Sequence, residues 1–168
     1  MQREELRALQ APLKERYRDD PGAALVTLRA SGELGADGVS CSVATGRALV
    51  EAGLHPATGG TGALACSGDM LLEALVACAG VTLRAVATSL GLTVAGTVHA
   101  EGDLDFRGTL GVAKDEGVPV GFRAIRLRFD LEHDEAEEDV ARLLELTERY
   151  CVVYQTLVGG VPVELATS

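Results

Sequence analysis

The apolar segment Met70–Leu90, MLLEALVACAGVTLRAVATSL, constrains this chain more than any other stretch. From Met70 to Ala87 it approaches the ~20 residues that a membrane-spanning helix needs. It carries Glu73 and Arg84, however, and follows directly on Asp69; charges inside a lipid-embedded helix are costly. A buried core helix is the expected form. Ser67 is its expected N-cap, Asp69 suits its first turn, and Gly91 is its expected stop. The rest of the core must be aliphatic, because the chain has three Phe, three Tyr and no Trp.

The 168 residues suffice for one domain, or one tightly merged two-lobed unit, with its own core. Residues 1–20 read as an N-terminal amphipathic helix, with Leu6, Leu9, Leu13 and Tyr17 at helical spacing. Asp19-Asp20-Pro21-Gly22 ends it, and residues 21–168 form a single α+β domain. Strands are expected at Ala24–Ala30, Val39–Thr45 and Arg47–Glu51, with a turn over Gly32–Gly38. The Gly- and Pro-rich stretch Gly53–Gly62 is a loop that delivers the chain to the long helix.

After that helix, Leu92–Glu101 reads as a strand, and Phe106–Val112 as a short one within a loop region. Phe122–Leu131 alternates cleanly, with Ile125, Leu127, Phe129 and Leu131 on one face and Arg126, Arg128 and Asp130 on the other. Asp134 should cap a helix running to Tyr150. A short helix at Val152–Leu157, a Gly159-Gly160 turn and a last strand at Val161–Leu165 complete the order. The arrangement βββ-α-β-β-α-β is an α+β pattern.

A formal net charge of −10 disfavours nucleic acid and anionic membrane as partners. The N-terminal residues show no apolar signal region, which points to the cytoplasm. In that reducing compartment a stable disulfide among Cys41, Cys66, Cys78 and Cys151 is disfavoured, and a transient catalytic one is permitted. No CxxC or clustered Cys/His spacing suggests a metal. No phosphate-cradling loop suggests a nucleotide cofactor.

Of the four cysteines, Cys41 alternates with Val39 and Val43 and reads as a core residue, while Cys66 lies in a loop. Cys78 sits mid-helix about 180° from Asp69, flanked by Leu71, Ala74, Leu75, Thr82 and Ala85, a dry and tight setting. A free cysteine in such a place packs as a small hydrophobe. Reactivity requires a nearby cation or a helix N-terminus. Cys151 has more local chemistry, following Arg149-Tyr150 where a new short helix is expected to begin. His55, His99 and His133 read as surface residues, and Glu73 with Arg84 as a polar seam along the long helix.

Ser67–Ala87, SGDMLLEALVACAGVTLRAVA, resembles the cysteine helix of the OsmC/Ohr family of osmotically inducible and organic hydroperoxide resistance proteins. Cys151–Leu157, CVVYQTL, resembles that family's second cysteine element, commonly Cys-Pro-x-Ser-x-x-Leu. The likeness runs from about residue 24 to the C-terminus. It implies an OsmC-like fold, with antiparallel sheets around a long central cysteine-bearing helix, in an intertwined homodimer. It also implies a peroxidase that needs no cofactor. Cys78 would be the peroxidatic thiolate, and Cys151 the thiol that closes a disulfide with it. The substrate would be a small hydroperoxide, and the reductant a dithiol, small molecule or protein.

The chain departs from the pattern at informative places. The family's Ohr branch has an activating Glu ten residues before the first cysteine; here that residue is Gly68, and by the resemblance to the broader OsmC-like branch Asp69, one place later, would stand in for the carboxylate. The early hairpin SGELGADG carries no Arg, which leaves Arg29 or Arg47 as the activating cation. Val152 and Tyr154 replace the usual Pro and Ser. A dimer of the same fold that binds a small hydrophobic ligand in its interface cleft, without catalysis, is the competing function.

Overall fold

The computed structural model of the protein describes residues 2–5, 8, 11, 32–34, 40–44, 49–111 and 117–167, with the backbone alone for those between 32 and 49. The expected strand at Ala24–Ala30 and most of the N-terminal helix lie outside these residues. Residues 3–5, 8 and 11 are helical and exposed. The chain divides into two compact units, each built from discontinuous segments: Met1–Leu25, Ala74–His99 and Arg128–Ser168 in one, Val26–Glu73 and Ala100–Leu127 in the other.

The second unit contains a four-stranded sheet in the order β1-β2-β3-β4: β1 (Gly32–Leu34), β2 (Ser40–Ala44), β3 (Leu49–Gly53) and β4 (Ala65–Cys66). The first three strands pair antiparallel, with Glu33 opposite Ser42 and Ser42 opposite Glu51. Gly32–Leu34 therefore belongs to the sheet and not to the expected turn, because its backbone pairs with β2 as far as Leu34 opposite Cys41. Cys66 likewise closes β4 and is not in a loop.

β4 runs parallel to β3, with Ala52 opposite Ala65, so the sheet is mixed where antiparallel pairing was expected. A parallel pair needs a crossover connection. The intervening loop provides one, with a 3₁₀ turn at Pro56–Thr58 inside it. His55 caps that turn, its Nδ1 accepting from the Ala57 N–H at 3.1 Å, and its ring stacks on Phe106 with centroids 4.7 Å apart.

The long helix α1 spans Ser67–Leu90 and ends where the sequence predicts. Gly91 takes φ +79°, its N–H bonding the Thr88 carbonyl and the Leu92 N–H bonding the Ala87 carbonyl. That pair of bonds is a Schellman motif, whose left-handed residue is open to glycine without a Cβ penalty. α1 is long and apolar enough to cross a membrane by length and composition. One stripe of it, Leu75, Ala79, Leu83 and Ala87, is buried. The expected burial thus holds for that stripe, and Val81 on another face is 71% exposed.

β5 (Val94–Asp103) and β6 (Ala124–His133) form a two-stranded sheet. β6 alternates as read: Ile125, Leu127, Phe129 and Leu131 are half-buried, and the residues between them are exposed. The strands approach closely at Gly96, where a Cβ would lie 2.0 Å from the Asp130 carbonyl oxygen. Between them Phe106–Thr109 is a helical turn, α2, and not the expected strand. The cause is local: the Asp105 side chain accepts from the Arg107 N–H at 3.1 Å and caps the turn.

α3 (Glu137–Tyr150) begins after Ala136, not after the expected cap Asp134. Glu137, Glu138 and Asp139 fill its first turn, and their charges favour the dipole's positive end without a side-chain cap. α4 (Val152–Gly159) follows. Residues 161–167 hold no regular structure, so the expected last strand is absent from the single chain. No described strand pairs with them, and Val161, Val163 and Leu165 stand exposed. The core of the first unit comprises Leu83, Ala87, Val94 and Leu143, with Phe129, Leu131 and Leu144 packed against it.

Candidate active site

Cys151 is the junction of two helices. It is the C-cap of α3, its N–H bonding the Thr147 carbonyl at 2.9 Å, and the N-cap of α4, its carbonyl accepting from the Gln155 N–H at 2.9 Å. Its extended ψ of 108° breaks the helical run, and its side chain is 1% exposed. Side chains lock the joint. The Tyr154 hydroxyl donates to Glu148 Oε1 at 3.0 Å, and Gln155 Nε2 donates to the Glu148 carbonyl at 2.9 Å. Inside α3 the buried Thr147 returns its hydroxyl to the Leu143 carbonyl, and Leu143 stands in the core.

Cys78, half-buried on α1, meets this junction. Burial pushes its thiol up. Hydrogen bonds from the Val153 N–H, Cys151, the Val152 N–H and the Thr82 hydroxyl outweigh burial and hold it below its ordinary value. The direction has a plain origin. The first N–H groups of a helix lack intrahelical partners, and the macrodipole places positive charge beside them. A thiolate at the start of α4 meets both.

Cys151 is shifted the opposite way. Burial raises it, the Tyr154 N–H offsets part of that, and the hydrogen bond to Cys78 and its negative charge raise it further. Of the two, Cys78 is therefore the thiol that gives up its proton more readily, and Cys151 the one that holds it. Such a pair has a nucleophile and, in contact with it, a second thiol.

The two cysteines singled out in the sequence are therefore brought together. Asp69 lies exposed in the first turn of α1, in the other unit. Arg29 and Arg47 fall outside the described residues. Arg84 donates to the Val94 carbonyl at 2.7 Å. Cys66 is half-buried and a free thiol; for Cys41 only the strand position is described. His99 lies exposed, 3.4 Å from Asp130, and His133 Nδ1 lies 3.2 Å from the Glu135 carbonyl. The functional groups that residue types did not reveal are the backbone N–H groups of Val152 and Val153. Their one signal was the helix start expected after Cys151.

A sequence model of the family described as OsmC-like protein matches residues 60–166, which include both cysteines. No curated protein matches the chain significantly. Among solved structures, the chain resembles an OsmC-like protein from Mycoplasma pneumoniae with a TM-score of 0.64 at 18% identity, covering 80% of this chain and 89% of that one. A hypothetical protein from Aquifex aeolicus aligns with a TM-score of 0.58 at 16% identity, over 80% of this chain and 89% of its own. An organic hydroperoxide resistance protein from Elizabethkingia anophelis, solved with crystallant-derived thiocyanate bound, aligns with a TM-score of 0.58 at 17% identity, over 80% and 90%.

Proposed function

The chain belongs to the OsmC-like protein family, and from that premise we propose that it is a cysteine-based peroxidase reducing organic hydroperoxides. The observation that carries the reading is the meeting of Cys78 with Cys151 at the N-terminus of α4, one thiol shifted down and the other up. The Cys78 thiolate attacks the terminal peroxide oxygen. The O–O bond breaks, an alkoxide leaves and takes a proton to become the alcohol, and Cys78 becomes a sulfenic acid.

The Cys151 sulfur then attacks the Cys78 sulfur. Hydroxide leaves, combines with the Cys151 proton as water, and a Cys78–Cys151 disulfide forms. A dithiol reductant, itself oxidised to its disulfide, returns both thiols. Once Cys78 is oxidised its negative charge is gone, so the groups that held Cys151 protonated weaken when Cys151 is needed as a nucleophile. Asp69, Arg29 and Arg47 remain supporting candidates by family analogy.

The assembly proposed is an intertwined homodimer about α1, working in the reducing cytoplasm as part of oxidative-stress defence. The apolar residues left open in the single chain support a second copy: Val81 on α1, Val152 and Val158 on α4, and Val163 and Leu165 in the C-terminal segment. Light scattering on the purified protein tests this, and a monomer at micromolar concentration would remove it.

The chemistry is tested by treating reduced protein with equimolar cumene hydroperoxide and mapping free thiols. The reading requires loss of Cys78 and Cys151 into one disulfide while Cys41 and Cys66 stay titratable. Four unchanged thiols would end it. A second reading, a non-catalytic binder of a small hydrophobic ligand, draws on a cavity of about 440 Å³ lined by Leu83, Val94, Val98 and Leu131, with Arg84 beside it. That reading predicts ligand uptake with no change in thiol count.

A further inference from the structure

α4 has no buried face within the chain. None of its residues is buried, and Val152 and Val158 are 71% and 63% exposed. A helix this short is held by tertiary contacts more than by propensity, so the ties at its start decide how it sits on α3. Two of them reach back over the bend at Cys151 to a single residue. The Tyr154 hydroxyl donates to Glu148 Oε1 at 3.0 Å, and Gln155 Nε2 donates to the Glu148 carbonyl at 2.9 Å. That carbonyl is among those that the end of a helix leaves without an intrahelical partner.

Tyr154 is also where the second cysteine element departs from the family's usual serine. A phenol carries its hydroxyl beyond a ring, and that reach spans to the Glu148 carboxylate. The hydrogen bond to Glu148, then burial and the carboxylate's charge, push the Tyr154 hydroxyl above its ordinary value, so the donor keeps its proton. Between the two residues lies Cys151, extended at ψ 108° and 1% exposed. An extended residue between two helices is the joint about which they swing, and a tie across it fixes the direction of its side chain. Resting on the peroxidase reading, we propose that Tyr154 is a positioning residue for disulfide closure: its hydroxyl, seated on Glu148, clasps α4 to α3 across the joint and holds Cys151 where its sulfur meets Cys78.

The step it serves is the second one. The Cys151 sulfur attacks the Cys78 sulfenic sulfur, the S–S bond forms, the S–O bond breaks, and the leaving hydroxide takes the Cys151 proton as water. A thiol already in place loses no orientational freedom at that moment, which raises its effective concentration toward its partner.

Glutathione disulfide forms the same bond without peroxide: it oxidises the two thiols to the disulfide and leaves as two glutathione thiols. The test equilibrates the full chain in buffers of reduced and oxidised glutathione and quantifies the Cys78–Cys151 disulfide by mass spectrometry after alkylation. Tyr154→Phe keeps the ring and removes the donor, and the disulfide equilibrium constant should fall about three- to fivefold. Glu148→Ala should lower it equally, and the double variant no further than either. Glu148→Gln retains an acceptor oxygen and should stay within about twofold of wild type. A bond that only stabilised the fold would serve the dithiol and disulfide forms alike and leave this constant unmoved.

An unchanged constant in Tyr154→Phe overturns the proposal. So do losses that add in the double variant, since the two residues would then act separately. Should Tyr154→Phe fail to fold, Glu148→Ala breaks the same bond from an exposed position. A wild-type chain that forms no such disulfide in glutathione overturns the clasp as well. One that forms it and ignores cumene hydroperoxide keeps the clasp and discards the peroxidase reading alone.

Discussion

Two polar clusters in this molecule use opposite means. At the β5–β6 end of the second unit, Arg126 is paired with Asp103 at 2.8 Å and with Glu101 at 3.4 Å, all three side chains more than half exposed. Arg107 and Arg123 face Asp105 beside them. In the first unit Cys78 meets no full charge among its described partners, only N–H and O–H dipoles and a thiol. Water screens the exposed charges, so each pair contributes little. The dipoles at Cys78 belong to two helices and act on a group that must choose its charge. What decides functional electrostatics here is fixed geometry, more than the number of charges.

The strongest way to break the comparison is to remove the thiols. Cys78→Ser should lower hydroperoxide consumption by at least about 10³-fold, since it removes the nucleophile. Cys151→Ser should still react once, leaving a Cys78 sulfenic acid that dimedone labels, with turnover lost. Steady-state peroxide assays and intact-mass measurements read both. Full turnover in Cys78→Ser would move the site elsewhere.

The next effect is structural. If buried packing holds the Cys151 junction, Leu143→Ala should destabilise the chain by about 2–5 kcal/mol, because Leu143 is fully buried in the core one turn before Thr147 on α3. Urea denaturation measures it. A cost below about 1 kcal/mol would mean that the junction is not anchored by this core.

A smaller effect tests how the two thiols share their proton. Cys151 is raised first by burial and then by Cys78, through a hydrogen bond and its charge. Cys78→Ser removes the charge, so the Cys151 midpoint should fall and its alkylation should begin at lower pH than in wild type. Cys78 itself, held low, should alkylate at lower pH than Cys151 in the wild-type protein. If Cys151 alkylates at the same pH with and without Cys78, the two sulfurs do not interact.

While Ser67, the expected cap, is the first residue inside the helix, the long helix and its C-terminal end were legible in the sequence because apolar periodicity and Gly91 are local signals. So was the face pattern of β6. The failures share one physical cause, competition that a single segment does not reveal. Phe106–Thr109 became a helical turn because Asp105 captured the Arg107 N–H. Val161–Leu165 has strand composition, yet no described strand accepts it. At the site, the two cysteines were readable as residue types. The donors acting on Cys78 were not, because backbone N–H groups carry no residue letter.

The smallest effect belongs to the exposed cluster, and it sharpens the contrast by being small. Arg126→Gln should move the melting temperature by less than about 2 °C and leave Cys78 alkylation unchanged. Acid gives the complementary measurement. The Asp103 carboxyl is held low by the Arg126 hydrogen bond, and Asp105 is pulled down to about 2, chiefly by its hydrogen bond to Arg107. A carboxylate depressed in the folded state stabilises above its ordinary value of 3.8 and loses that contribution as pH falls toward about 2. Unfolding scans from pH 5 to pH 2 should therefore show the cluster's share disappearing only in that acid window. A loss of stability shared by wild type and Arg126→Gln across that window would assign it to Asp105 or to carboxylates elsewhere, and a loss confined to wild type would assign it to the Arg126 pairs.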